Sequence, residues 1–220
     1  MTLESSGILI AVRPFDERNV VAHIFTREHG VIAGMIRGGV IARANKPLVG
    51  QSGNRSWNAR VDSALGVFHW EPERNLAAPI MTKPDALMAM NAAFDLICAT
   101  LPEREAYCNL YDATLDLLIG IAHDDDTHDK YLAWEIKLIA ALGYAFDLGH
   151  CSGCGRTENL NYISPKTARA VCDDCAAPDV SRLYKMPIRT DTTFAFLTKI
   201  CAEMGANMPT SRKMLKAKKI

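Results

Sequence analysis

The sequence predicts an α+β protein in which a small five-stranded barrel precedes a helical body with an inserted four-cysteine hairpin. Three observations support this fold class. Short β-branched runs separated by turn residues fill the first eighty positions. Apolar residues then recur at helical spacing, and two Cys-x-x-Cys pairs follow.

Five short runs predict the strands of the barrel, which we place over residues 1–80. Pro14 stops the first run, and Gly38-Gly39 ends the third. Internal glycines allow short strands to bend, so we expect a closed OB-fold barrel, with an SH3-like barrel as the competing architecture. The runs are 7–13, 19–26, 31–37, 57–61 and 64–71.

Apolar stripes at three- and four-residue spacing predict a helical domain whose first part covers residues 81–149. The stripes are Leu87-Met90-Phe94-Ile97-Leu101, Tyr107-Leu110-Tyr111-Leu115-Leu118-Ile119 and Tyr131-Trp134-Leu138-Leu142. A last helix after Pro187 and a basic, mobile tail from Ser211 to Lys219 complete this domain over residues 177–220.

Four of the seven cysteines form the pairs Cys151-x-x-Cys154 and Cys172-x-x-Cys175, separated by 17 residues. Together they supply the four sulfurs that tetrahedral Zn²⁺ takes in a closed structural site. Two redox dithiols or disulfides, and coincidence, are the alternatives. A closed site leaves no open coordination position, so one structural Zn²⁺ is expected to stabilise the fold.

Between the two cysteine pairs, residues 160–164 and 167–171 flank Pro165-Lys166 in the pattern of a β-hairpin. A hairpin held between two metal knuckles is the layout of a zinc ribbon. We place this ribbon over residues 150–176, as an insertion in the helical domain.

Charge is unevenly distributed along a chain whose net charge is zero. Residues 1–83 carry ten Lys/Arg against seven Asp/Glu, residues 84–150 three against twelve, and residues 151–220 twelve against six. The pattern indicates either modules with different partners or solvated faces that happen to segregate. Since no membrane span or signal peptide is recognisable, and thiols favour a reducing compartment, we expect a cytoplasmic protein.

Basic residues at strand ends and in loops make the barrel a candidate surface for nucleic acid. Single strands are bound by cations that follow the phosphates and by aromatic rings that stack on the bases. Trp57 and Phe15 lie near such cations, although a lone tryptophan in a strand is more often part of the core. The predicted DNA-binding residues are Arg13, Arg27, Arg37, Arg43, Lys46, Arg55, Trp57 and Arg60.

The sequence carries no motif of a catalytic site. There is no G-x-x-x-x-G-K-[ST] loop, no G-x-G-x-x-G, and neither H-E-x-x-H nor G-x-S-x-G. We therefore expect a binding protein and not an enzyme.

The order of these parts, together with several short stretches, resembles the RecO family of bacterial recombination mediators. The resemblance spans nearly the whole chain to about residue 210, although the hairpin lacks the double glycine that the family has there. The stretches are Arg27-Glu28-His29-Gly30, Ile36-Arg37-Gly38-Gly39, Leu101-Pro102-Glu103-Arg104-Glu105 with Leu110-Tyr111, Tyr131-Leu132-Ala133-Trp134-Glu135 through Leu142-Gly143-Tyr144 and Leu148, and Asn161-Tyr162-Ile163-Ser164-Pro165.

The resemblance implies a nucleoid-associated protein that binds single- and double-stranded DNA through the OB barrel and anneals complementary strands. It implies binding to RecR and to the acidic, Phe-ending tail of the single-strand-binding protein, and so help in loading RecA. Arg37, at the family's basic strand end, takes a phosphate contact. A pocket for the tail is expected near Phe194, Phe196, Leu197 and Lys199.

Two other classes of function stay open. A zinc-ribbon adaptor would bind only protein, use the barrel as a scaffold and show no salt-dependent binding to DNA. A zinc hydrolase or nuclease would need an open metal position or a carboxylate cluster.

Overall fold

A computed structural model describes residues 2–42, 46–58, 65–123 and 126–217 of the chain. It confirms the predicted α+β class, because five strands close into a barrel, helices follow, and a four-cysteine unit is inserted between them. Arg43 and Arg60, two of the predicted DNA contacts, lie outside the described residues.

The barrel closes in the strand order β1-β2-β3-β5-β4. Neighbouring strands are antiparallel except for β3 and β5, which run parallel. This closed five-stranded barrel fits the predicted OB-fold and not the SH3-like alternative. The strands are β1 (Thr2–Pro14), β2 (Val20–Thr26), β3 (Gly30–Ile36), β4 (Gln51–Asn58) and β5 (Gly66–Asn75).

Strand β4 begins at Gln51, whereas the sequence predicts a start at Trp57. The residues before Trp57 are mostly polar, so no apolar alternation marks them as a strand. Gly53 is required here by space, since a Cβ at this position would lie 2.3 Å from the carbonyl oxygen of Glu71 on β5. A polar strand that pairs on both sides with β1 and β5 is thus missed by pattern alone.

The interior of the barrel is a compact apolar cluster that includes Leu9, Ile24, Ile32, Trp57 and Phe68. Trp57 is fully buried, and its indole N–H donates to the carbonyl oxygen of Ala33 at 3.1 Å. Buried aromatic rings of this kind dominate the energetics of small cores.

The helical body follows the predicted stripes closely. Helix α1 begins at Pro84. Proline suits the first position of a helix, because an N–H at that position would have no partner within the helix. The carboxylate of Asp126 caps α3 by accepting the N–H of Asp129 at 3.3 Å. The helices are α1 (Pro84–Thr100), α2 (Cys108–His123), α3 (Thr127–Ala141), α4 (Asp173–Ala176), α5 (Thr190–Glu203) and α6 (Thr210–Ala217).

The barrel packs against the helical body through the outer faces of β1, β2 and β3. Ile8, Phe25 and Val31 belong to the same buried cluster as the helices, and the rings of Phe25 and Tyr111 meet edge-on at 5.5 Å. Strand β5 ends and α1 begins on either side of the predicted boundary at residue 80, but the division into domains stays a prediction.

The basic tail is not mobile over its described part, and that prediction is wrong. Residues 210–217 form α6, which packs on α1 and carries the fully buried Arg212 and Leu215. The guanidinium of Arg212 donates to both carboxylate oxygens of Glu135, at 2.5 and 2.9 Å. The counter-charge lies 77 residues away in sequence, so charge composition alone could not reveal the pair.

The predicted hairpin of the ribbon is confirmed as β6 (Leu160–Ile163) and β7 (Ala170–Cys172). A short strand, β8 (Tyr184–Lys185), adds to β6 and gives the sheet order β7-β6-β8. Two residues carry too little periodicity to be recognised in a sequence. Among the described helices, none has the length and apolar character that crossing a bilayer requires.

Candidate metal centre and nucleic-acid interface

The structure brings together the four sulfur atoms of Cys151, Cys154, Cys172 and Cys175, all within 4.8 Å of one another. Tetrahedral coordination at about 2.3 Å per Zn–S bond places neighbouring sulfurs about 3.8 Å apart. The distance from Cys154 Sγ to Cys172 Sγ is 3.7 Å. The four cysteines are therefore placed to hold a metal ion.

A tight turn after Cys151 directs the first cysteine pair toward the second. The N–H of Gly155 donates to the carbonyl oxygen of Cys151 at 2.9 Å, and Gly155 has a φ of +75°, which favours glycine. Gly153 leaves room for the opposite pair, since a Cβ there would lie 3.0 Å from Cys175 Sγ. The Cys-x-x-Cys spacing and its glycines thus produce the cluster locally.

Backbone donors point at the sulfur of Cys151. The N–H groups of Cys172 and Gly153 each lie 3.4 Å from it, and such donors, that of Cys172 foremost, lower the pKa of Cys151 to about 6. The neighbouring thiols, with Cys154 first, raise the pKa of Cys175 to about 12. Since the thiolate is the form that binds metal, these donors favour a ligand at Cys151.

The cluster is half buried and half exposed. Cys151 and Cys172 are buried in a small core with Val171 and Ala176, whereas Cys154 and Cys175 are exposed. All four sulfurs face one another, so together they would fill the four coordination positions of a tetrahedral ion.

Three predicted cations, Arg13, Arg37 and Lys46, are exposed near one end of the barrel. Arg13 pairs with Val21 at the end of β1, and Arg37 directly follows β3. Pro47, next to Lys46, packs near Gly39, where an added Cβ would lie 3.2 Å from the proline ring. The structure therefore gathers these three charges from separate segments.

Arg27 is also exposed, but its guanidinium is paired with a carboxylate. Its Nε and Nη2 donate to Asp112 on α2 at 2.9 and 3.0 Å, and this bond raises the pKa of Arg27. Arg27 thus links the barrel to the helical body, and much of its charge is already compensated.

Arg55 and Trp57 do not lie on the outer surface, which contradicts their prediction as DNA contacts. Both face the inside of the barrel on β4, and they are only 3% and 0% exposed. The guanidinium of Arg55 lies 5.8 Å from the centre of the Phe68 ring, and burial lowers the pKa of Arg55 to about 10. The one signal in the sequence was Trp57, since a lone tryptophan in a strand is more often part of the core, and Arg55 lies two residues away on the same face of β4.

The four residues predicted as a partner pocket do not share an open surface. Phe196 and Leu197 are buried, and the rings of Phe196 and Phe146 meet edge-on at 5.0 Å. Phe194 packs under the cationic side chains of α6, and Lys199 is exposed. This placement corrects the prediction, because Phe196 and Leu197 belong to the buried face of α5 and not to a surface pocket.

The described part of the helical body does have a concave surface, between α2 and α3. Its volume is about 680 Å³, and Lys137 stands on the α3 side. Small side chains make the groove, among them Ala113, Ala140 and Ala141. Sequence reasoning missed it because alanines carry no chemical signal of their own.

Comparison with known proteins gives a consistent match along the chain. Residues 1–55 match the family described as Recombination protein O N terminal, and residues 81–208 match Recombination protein O C terminal. The DNA repair protein RecO of Dinoroseobacter shibae is 38% identical over 183 residues, which cover 82% of this chain and 76% of that protein.

Two further relatives carry the same name. DNA repair protein RecO of Ruegeria sp. is 36% identical over 188 residues, or 85% of this chain and 78% of the relative. That of Rhodospirillum centenum is 36% identical over 192 residues, or 85% of this chain and 76% of the relative. The similarity therefore extends over both the barrel and the helical body.

Proposed function

The chain belongs to the RecO family of DNA repair proteins, and from this premise we propose that it binds single- and double-stranded DNA through its barrel and anneals complementary strands. With RecR it helps to load RecA on DNA that is coated by the single-strand-binding protein. The proposed activity is binding without catalysis, and we place the protein in the cytoplasm, at the nucleoid.

The observation that carries this proposal is the group of exposed cations at one end of the barrel. Within the part of the chain that the structure describes, no carboxylate forms an ion pair with Arg13, Arg37 or Lys46. Cations of this kind displace the counterions condensed on DNA, which drives binding at low salt. They also reduce the repulsion between two phosphate chains, and this is what annealing requires.

The metal in this proposal is one Zn²⁺, held by Cys151, Cys154, Cys172 and Cys175. When bound, it supplies a cross-link between the two ends of the ribbon and no reaction. The apolar core of the ribbon is small, so the four-thiolate site contributes much of its folding free energy.

For the acidic, Phe-ending tail of the single-strand-binding protein, we place the site in the groove between α2 and α3. The groove has a volume of about 680 Å³, Arg27 pairs with Asp112 in its lining, and Lys137 at its side suits a terminal carboxylate. Lys137→Ala is expected to weaken binding of a labelled tail peptide, whereas Lys199→Ala leaves it unchanged. A loss seen only with Lys199→Ala would return the site to α5.

The DNA-binding proposal is tested by titrating a labelled single strand across a salt series. The Arg13/Arg37/Lys46→Ala variant is expected to bind more weakly, and the slope of log K against log salt falls by about 2, since each phosphate contact contributes about 0.7. A matched control removes three exposed cations of the ribbon region, Lys166, Arg182 and Lys185, and is expected to keep the wild-type slope.

The adaptor alternative makes the opposite prediction. If wild type binds no DNA at low salt but still binds RecR and the tail peptide, the proposed mediator function is wrong and the protein is an adaptor. If the two triple variants have equal slopes of log K against log salt, the DNA-binding surface does not lie at this end of the barrel.

A further inference from the structure

The end of the barrel that carries the cations also exposes large apolar side chains. Phe15 is 60% exposed, Ile41 62% and Val40 38%. A single exposed apolar residue is ordinary, but several on adjoining loops mark a contact surface. We call Phe15, Val40 and Ile41, with the exposed Arg18 and Arg37, the loop tip.

Hydrogen bonds join the two loops that form the loop tip. The N–H of Val40 donates to the carbonyl oxygen of Arg18 at 3.0 Å, and the N–H of Gly38 donates to Asn19 Oδ1 at 3.0 Å. Gly38 has a φ of +69°, a conformation that favours glycine and turns the chain after β3. The β1–β2 loop and the turn after β3 are therefore held as one surface.

Asp16 fixes the β1–β2 loop with the ring of Phe15 outside it. Its carboxylate accepts the N–H groups of Arg18 and Asn19 at 2.8 and 2.7 Å, and the side-chain amide of Asn19 at 2.8 Å. Because the loop is held by these bonds and not by packing of the ring, Phe15 is presented to solvent in advance of binding. Because the backbone of the loop is already ordered, its ordering costs little conformational entropy when a ligand covers the ring.

We propose that the loop tip is a stacking site for unpaired bases of a single-stranded nucleic acid, with Phe15 against a base and Arg18 and Arg37 at the adjoining phosphates. An exposed aromatic ring between cations is complementary to a strand whose bases and phosphates alternate. In a duplex the bases are already stacked and paired, so the site favours single strands. The inference rests on the proposed DNA binding and adds the feature of DNA that the barrel selects.

The experiment compares an ordinary single strand with an abasic strand that has the same number of phosphates. Wild type is expected to bind the ordinary strand more tightly than the abasic strand. Phe15→Ala is expected to lose roughly 5- to 150-fold on the ordinary strand, the range for one stacked base, and nothing on the abasic strand or on duplex. Phe15→Trp keeps the ring and is expected to restore binding.

Met81→Ala is the matched control, because Met81 is 65% exposed and lies in the link between the barrel and α1. It is expected to bind all three DNAs as wild type does. An unchanged affinity of Phe15→Ala for the ordinary strand, or an equal loss on the abasic strand, would overturn the stacking site while leaving phosphate binding by the barrel intact. Failure of wild type to bind any of the three DNAs would overturn both.

Discussion

Arg55 occupies the inside of the barrel with all three guanidinium nitrogens buried, and no residue in the described part of the chain forms a hydrogen bond with them. A buried charge that lacks a partner is costly, and the lowered pKa of Arg55 has the same cause, burial. Arg55→Met removes the charge and keeps most of the side-chain volume. We expect this change to raise the free energy of unfolding by roughly 1–3 kcal/mol, measured by urea denaturation.

Arg37→Met serves as the comparison for Arg55→Met, because Arg37 is exposed at the same barrel. It is expected to alter stability by less than about 0.5 kcal/mol and to weaken DNA binding. A marked loss of stability in Arg55→Met would show that the guanidinium has a stabilising partner in solution, contrary to this account.

Cys154 is the residue at which the metal site is tested most simply, since it is exposed and its replacement disturbs little packing. Cys154→Ser is expected to lose the tightly bound metal, and its ribbon is expected to exchange amide hydrogens faster over residues 150–176. Cys108→Ser, at a half-buried thiol outside the cluster, is expected to retain the metal. Native mass spectrometry with hydrogen exchange measures both effects, and unchanged ribbon protection in metal-free protein would contradict a structural metal.

At the scale of elements, the short helix α6 contributes a buried ion pair, Arg212 with Glu135 of α3, in addition to the buried side chain of Leu215. Burial alone would lower the pKa of Arg212, but its hydrogen bonds and charge attraction with Glu135 raise it, so the guanidinium stays charged. Removing Arg212 would leave the carboxylate of Glu135 buried without its counter-charge. We therefore expect Arg212→Met to lower the free energy of unfolding by about 3–5 kcal/mol. Chemical denaturation gives this value directly.

The exposed neighbour of Arg212 provides the control for this prediction. Lys213→Ala is expected to change stability by less than about 0.5 kcal/mol. The double variant Glu135→Met/Arg212→Met is expected to recover most of the loss, since it leaves no unpaired buried charge. If Arg212→Met were as stable as Lys213→Ala, the pair would not hold α6 in solution.

The elements also show which signals a sequence carries. Strands β1 to β3 and helices α1 to α3 have regular apolar spacing, and the sequence predicts them. Strand β4 and helix α6 bury Arg55 and Arg212, so their inward faces look polar and were misjudged. The four cysteines were predicted as one site because ligand spacing is a local property, whereas the side of β4 that Trp57 faces is decided by its partners β1 and β5.

At the scale of the whole molecule, the barrel packs on the helices with one side and leaves one end exposed. The outer faces of β1 to β3 meet the helices through Ile8, Phe25 and Val31, and Arg27 pairs with Asp112 on α2. The cations and the exposed ring of Phe15 lie at the end formed by the β1–β2 loop and the turn after β3. In the proposed function, this end of the barrel binds DNA and the helical body and the ribbon are left for protein partners.

In the proposed function, the cations at this end of the barrel bring complementary strands together. The most direct test is the annealing rate of complementary labelled oligonucleotides coated with the cognate single-strand-binding protein, for wild type and the Arg13/Arg37/Lys46→Ala variant across a salt series. Wild type is expected to accelerate annealing, and this acceleration is expected to fade with rising salt and to be largely lost in the variant. Acceleration of equal size in the variant, or none by wild type at low salt, would contradict it.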